Sequence, residues 1–75
     1  MKELIEYIAQ SLVDRPEEVK VTEVRRDQSV VLQLRVGRED MGRVIGKQGR
    51  IVHAMRVLLR VAAAREGKHA SLEIR

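Results

Sequence analysis

The chain has no cysteine, no tryptophan and no phenylalanine; Tyr7 is its one aromatic residue and Pro16 its one proline. Without cysteine there is neither a disulfide framework nor a thiolate metal site. No run approaches the roughly 18 apolar residues of a membrane span, so no membrane role is expected. The opening "MKELIEYIAQ" carries acids within its apolar periodicity, which does not suit a secretory signal peptide. A cytoplasmic protein is the plain expectation. Length excludes more. At 75 residues, read as a single domain over 1–75, the chain buries only about 60% of the surface it exposes unfolded. Its expected stability is about 4–11 kcal/mol, which leaves little room for a deep catalytic cavity.

Another absence is local. Between Met41 and Arg65 there is no acidic residue, while six basic ones stand there: Arg43, Lys47, Arg50, Arg56, Arg60 and Arg65. Residues 1–37 hold six basic and seven acidic side chains, a balance of −1, and residues 38–75 hold nine and four, a balance of +5, which together give the net +4. A solvated helix face normally interleaves both signs. A one-sign surplus reads as the electrostatic footprint of a polyanion partner.

Periodicity gives the elements. Leu4, Ile5, Ile8, Leu12 and Val13 recur at helical spacing, predicting an amphipathic helix over 2–13 that "DRPEE" ends. "VKVTEV" reads as a strand over about 19–25, "RDQS" as a turn, and "VVLQLRV" as a half-buried strand over 29–36, with Val30, Leu32, Leu34 and Val36 on one face. Gly37 breaks that strand. A short helix over about 39–45 follows, with Glu39 and Asp40 in its first turn, where helix N-termini favour acids. A long helix over 50–65 has Ile51, Met55, Leu58, Leu59 and Ala62 on its core stripe, and Gly67 is its stop. "HASLEIR" alternates as a final strand. The order α-β-β-α-α-β predicts an α+β domain, a three-stranded sheet covered on one face by three helices.

The two helices of the second half are joined by "GKQG", residues 46–49. One glycine would satisfy a tight turn that needs positive φ. Two of them, Gly46 and Gly49, bracketing Lys47 and Gln48, suggest more. Missing side chains let a ligand backbone approach the main chain, and the next helix N-terminus offers unpaired N–H groups. Lys47 and Arg50 add full charges beside it.

The stretch "VGREDMGRVIGKQGRIVHAMRVLL" resembles the signature of a KH domain, and the element order resembles the type II, bacterial, arrangement. Coverage of the whole chain is similar to the small stand-alone bacterial KH proteins of the KhpA family, and unlike KH modules inside larger proteins. The family pattern maps without a gap onto Val44, Ile45, Gly46, Lys47, Gln48, Gly49, Arg50 and Ile51, with Arg43 just before. The resemblance implies a G-x-x-G loop that clamps about four nucleotides of single-stranded RNA. It also implies self-association and pairing with a larger KH partner of the Jag type; the residues themselves suggest no cofactor and no catalysis. Poverty in aromatics suits this reading, because a KH groove is aliphatic whereas RRM and OB readers stack bases on aromatic platforms. On this view RNA lies between the 39–65 helical unit and the 29–36 strand, with Ile45, Ile51 and alternate strand residues as its lining and Arg43, Lys47 and Arg50 on phosphates. A post-transcriptional or RNA-chaperone role would follow. The alternative is a protein-interaction module whose RNA affinity is incidental.

Other motifs carry little. "GREDMGR" has P-loop glycine spacing but lacks the Lys-Ser/Thr that contacts phosphate and magnesium. "GRVIG" mimics G-x-x-x-G but sits in no apolar twenty-mer. His53 and His69 have no acidic or cysteine companions at ligand spacing, so no metal site is expected. Ser11, Ser29 and Ser71 have no base nearby in sequence, and no nucleophile–base pair emerges. The long helix does hold an anomaly. His53, Arg56 and Arg60 share one exposed face, yet Ala54, Val57, Val61 and Ala64 fall on neither that face nor the core stripe, with Leu58 at their edge. A helix apolar on two sides needs a second cover, and in so small a domain that cover is a partner molecule, most simply a second copy.

Overall fold

Residues 20–35 fold back on themselves and fix the middle of the sheet. β1 (Lys20–Arg26) and β2 (Ser29–Arg35) pair antiparallel from Arg26↔Ser29 to Lys20↔Arg35. Only Asp27 and Gln28 separate them, and Asp27 takes φ 47°, a left-handed value that Asp adopts more readily than most residues. The alternation read from "VVLQLRV" holds: Val30, Leu32 and Leu34 are 1, 0 and 0% exposed, while Ser29 and Arg35 face solvent. β3 (His69–Ile74) joins the other side of β2 in parallel, from Ser29↔His69 to Leu34↔Ile74. The sheet is therefore mixed, in the order β1-β2-β3. This computed structural model describes the backbone of all 75 residues and every side chain except that of Lys47.

Three helices, α1 (Lys2–Leu12), α2 (Met41–Ile45) and α3 (Arg50–Arg65), cover one face of the sheet. Ile5 and Ala9 of α1, Val44 of α2, and Val52, Met55 and Leu59 of α3 meet Val21, Val30, Leu32, Leu34 and Leu72 in one core. The predicted order α-β-β-α-α-β and the α+β class are what the molecule has. Boundaries shift by a residue or two. The helix expected over 39–45 is a 3₁₀ turn, Arg38–Asp40, running into α2, and Pro16 opens another, Pro16–Glu18.

α3 begins and ends where expected, but its buried stripe is rotated. Val52, Met55, Leu59 and Ala63 face the core. Of the predicted stripe only Met55 and Leu59 are buried, and Leu58 points outward. Apolar residues stand at helical spacing on both sides of this helix, so periodicity alone does not choose between them. The choice is made by docking. Arg56 Nη2 donates to the Leu72 carbonyl at 3.3 Å, which turns the flank next to Val52 and Met55 onto β3. At its C-terminus the Lys68 N–H bonds to the Ala63 carbonyl at 2.9 Å and that of Gly67 to Ala64 at 3.1 Å, with Gly67 at φ 68°. This is a Schellman closure, which accounts for the glycine stop.

One acid goes where the sequence does not suggest. Asp40, expected to favour a helix start electrostatically, is 2% exposed and is the one buried charged side chain among the described residues. Its Oδ1 and Oδ2 accept the backbone N–H groups of Asp14 and Arg15, each at 3.2 Å. The carboxylate thereby ties the segment after α1 to the start of α2.

Candidate nucleic-acid interface

The loop between α2 and α3 is built on left-handed backbone. Gly46 has φ 71°, ψ 179°, a region essentially closed to other residues. A Cβ there would also lie 2.7 Å from Ile51 Cγ1 and 2.9 Å from Cδ1. Gly46 is thus required twice, by its own dihedrals and by Ile51 beneath it. Gln48 (φ 56°, ψ 27°) and Gly49 (φ 75°, ψ 16°) complete the reversal. Gly49 differs from Gly46, because a Cβ on it would meet nothing within 4 Å. Its surroundings are open, and only its φ calls for glycine. The two glycines divide the work: Gly46 lets the chain reverse over Ile51, and Gly49 presents bare main chain to solvent.

Gly49 is also the N-cap of α3, and no side chain caps that end. First-turn N–H groups therefore emerge beside the open main chain, with exposed Arg50 next to them. Such an end is a ready anion site. Lys47, assigned to phosphate from the sequence, has a side chain outside the described residues.

The remaining predicted residues divide. Ile45 is exposed at the rim, and Ile51 is half-buried under Gly46. Val44 is 0% exposed and is a core residue, so its side chain cannot line a groove. Arg43 is engaged: Nη1 donates to Asp14 Oδ1 at 3.1 Å and Nη2 lies 3.0 Å from Oδ2, a two-point fork. That pair is solvent-exposed, so water and salt weaken it.

The sheet opens no groove where the sequence reading expects one. β2 is flanked by strands on both sides and its helix-facing residues are sealed, so no groove opens between the helices and the 29–36 strand. The strand with a free edge next to α3 is β3. Arg56 bonds to its Leu72 carbonyl, which places the exposed row His53, Arg56 and Arg60 along that edge. At the far end an open depression of about 540 Å³ is lined by Arg60, Ala64, Gly67, Lys68, His69 and Ala70. Loop, cationic row and depression follow one flank of α3, about 24 Å long at 1.5 Å per residue. The sequence identified the row but not the strand beside it, because strand order is not encoded in local periodicity.

The second apolar side of α3 is real. Ala54, Val57, Leu58, Val61 and Ala64 are all exposed, Val57, Leu58 and Val61 at 42, 47 and 50%. They lie across the helix from the core and next to the cationic row. Among the described residues no group of three His, Cys, Asp or Glu side chains is placed to hold a metal ion, and no helix is long and apolar enough to cross a membrane.

Comparison with known proteins places this arrangement. RNA-binding protein KhpA of Clostridium perfringens is 55% identical over 99% of both chains, and that of Caldanaerobacter subterraneus subsp. tengcongensis is 50% identical over the same share. RNA-binding protein KhpA of Borreliella burgdorferi is 46% identical over 96% of this chain and 88% of its own. No solved structure gives a significant match. Residues 2–74 match the family described as KhpA/KhpB, KH domain, and with α-β-β-α-α-β order and a glycine-bracketed turn between its second and third helices, the chain belongs to that family.

Proposed function

We propose that this protein binds single-stranded RNA without catalysing a reaction on it, holding the sugar-phosphate backbone against the 46–49 loop and the first turn of α3. The observation that carries the reading is the open main chain at Gly49 joined to an uncapped helix N-terminus. Arg50 and Lys47 neutralise phosphates there, Arg43 less so because Asp14 already engages it. From the loop the strand runs along His53, Arg56 and Arg60 beside the β3 edge, and Ile45 and the aliphatic flank meet bases. Backbone contacts position the RNA, and the few base contacts give modest sequence preference. That the KhpA relatives are named RNA-binding proteins supports the assignment. A cytoplasmic, post-transcriptional role, including RNA chaperoning, fits a small module of this kind.

The exposed stripe Val57, Leu58 and Val61 supports association through α3. We infer a modest-affinity homodimer across a two-fold axis, the commonest way for a small protein to cover such a patch. The same face suits pairing with a larger, Jag-type KH protein, and the family's joint KhpA/KhpB description is in keeping with it.

The loop is tested by replacing Lys47 and Gln48 together with Asp. Both positions lie in the turn between the two glycines, where Gln48 is exposed, so the fold survives, and RNA affinity falls at least about tenfold. A folded double variant with wild-type affinity removes the loop from the mechanism and leaves the association face as the functional surface.

A further inference from the structure

The helix-free face of the sheet is a second candidate surface. The strand register puts Lys20, Thr22, Val24 and Arg26 of β1, Ser29, Val31, Gln33 and Arg35 of β2, and His69, Ser71 and Glu73 of β3 on that side. Arg75 follows β3, its N–H bonded to the Leu34 carbonyl at 2.8 Å, which brings it level with Arg35. Lys20, Arg35 and Arg75 therefore form a row across one end of the sheet, spanning about 10 Å at the usual strand spacing. Lys20 and Arg35 are direct cross-strand partners. Like charges set opposite each other destabilise a sheet, yet neither residue takes part in an ion pair among the described residues. The one acid on these strand positions is Glu73, already held by Gln33 Nε2 at 3.2 Å and lying 3.9 Å from Arg75 Nη2. A depression of about 400 Å³ is bounded by Lys20, Thr22, Gln33, Leu34, Arg35 and Arg75. Arg26 and His69 place further basic groups at the opposite end.

We propose that this open face binds a second stretch of RNA backbone, continuous with the strand held along α3. β3 is shared by the two surfaces: its free edge borders the cationic row of α3, and its outer residues lie on the open face. An RNA leaving the α3 flank crosses one strand's edge to reach Arg75, Arg35 and Lys20, where the cations meet phosphates and Thr22 and Gln33 offer hydrogen bonds. The composition favours RNA over a protein partner. A protein interface is centred on apolar and aromatic anchors, and here the apolar residues are Val24 and the half-buried Val31.

The inference rests on the RNA-binding reading, and the two are separated by RNA length. Binding is measured for oligouridylates of about four nucleotides, enough for the loop flank alone, and of about sixteen. The probe protein is the full chain carrying Lys20→Gln, Arg35→Gln and Arg75→Gln, with the Lys20→Gln/Arg35→Gln double variant as a second, milder form. Four-nucleotide affinity stays at wild type, while sixteen-nucleotide affinity falls about tenfold and the slope of log K against log salt becomes less negative by about 2, at −0.7 per phosphate. Without RNA, both variants melt at or above the wild-type temperature in low salt, because a like-charge row has been relieved. Unchanged long-RNA affinity overturns the proposal, as does an equal loss on both lengths, which would mean damage to the α3 flank. Loss of binding to poly-glutamate with RNA binding intact overturns it in favour of an acidic protein partner. Wild-type protein that binds neither RNA length refutes the underlying RNA reading instead.

Discussion

Replacing each loop glycine by alanine should have unequal effects, although both have positive φ. At Gly46 two penalties add. Its φ 71°, ψ 179° conformation costs about 1–3 kcal/mol for a residue with a Cβ. The new Cβ would also sit 2.7 Å from Ile51 Cγ1, and Ile51 is packed against the core. Forcing it aside is overpacking, about 1–3 kcal/mol more. Gly46→Ala therefore loses about 2–6 kcal/mol, a large part of the about 4–11 kcal/mol expected for a domain of this length. At Gly49 only the ordinary left-handed term applies, about 1–2 kcal/mol, since the Cβ points into open space. Urea unfolding followed by circular dichroism measures both. The origin of the larger loss is isolated by Ile51→Ala, which removes Cγ1 and Cδ1. In that background Gly46→Ala keeps its dihedral cost and loses most of the clash, so the double variant is less destabilised than the sum of the singles by about 1–2 kcal/mol. RNA binding separates the glycines the other way: Gly49→Ala stays folded at 25 °C but places a methyl group where the backbone is to approach, and loses affinity. Equal destabilisation by the two alanines, or strict additivity of Gly46→Ala with Ile51→Ala, refutes the account of the loop.

Asp40→Ala leaves two N–H groups, those of Asp14 and Arg15, without their carboxylate and should destabilise by about 2–4 kcal/mol, with Asp40→Asn roughly half as damaging; chemical denaturation within about 0.5 kcal/mol of wild type would show the tie to be unimportant. Val61→Asp puts an unpaired carboxylate into any α3–α3 contact, at several kcal/mol, so light scattering across a concentration series should show a wild-type dimer and a monomeric, folded variant. A wild type at monomer mass at high micromolar concentration, or a folded variant that stays dimeric, moves the contact elsewhere. A short RNA confined to the loop and α3 flank meets three to five phosphates, giving a salt slope of about −2 to −3.5; a flat response would favour the protein-interaction reading.

Legibility in the sequence followed the range of the interaction. The β1–β2 hairpin, the span of α3 and the glycine stop at Gly67 are local, each set by residues within a few positions, and all three were readable. The loop was readable for a similar reason, although the different duties of Gly46 and Gly49 emerge only once Ile51 is seen beneath the first of them. What escaped is long-range. That β2 is central depends on His69–Ile74 pairing with Ser29–Arg35 across the helical half, and no local period records it, so the sequence reading sets a groove against a strand whose helix-facing residues are sealed. The face α3 buries is ambiguous in the sequence because Ala54, Val57 and Val61 have the same spacing as Val52, Met55 and Leu59. Asp40 left no signal, because an acid next to a helix start has an ordinary explanation that happens not to be its role.

The parallel pairing of β2 with β3 has a kinetic consequence. The hairpin closes across two residues, Asp27 and Gln28, whereas partners in the β2–β3 ladder, such as Gln33 and Glu73, are 40 residues apart. With closure entropy growing as (3/2)RT ln n, the second ladder begins about 2–3 kcal/mol behind the first. Hairpin and α3 can form on their own, but β3 has nothing to join until β2 is in place and α3 has docked. The β3 edge is thus expected to be the last piece to assemble and the first to open, and its amides to exchange with solvent ahead of those in the β1–β2 ladder. Since that edge borders the cationic flank of α3, the RNA surface exists only when folding is complete, and RNA bound there would hold shut the part of the molecule most ready to come apart.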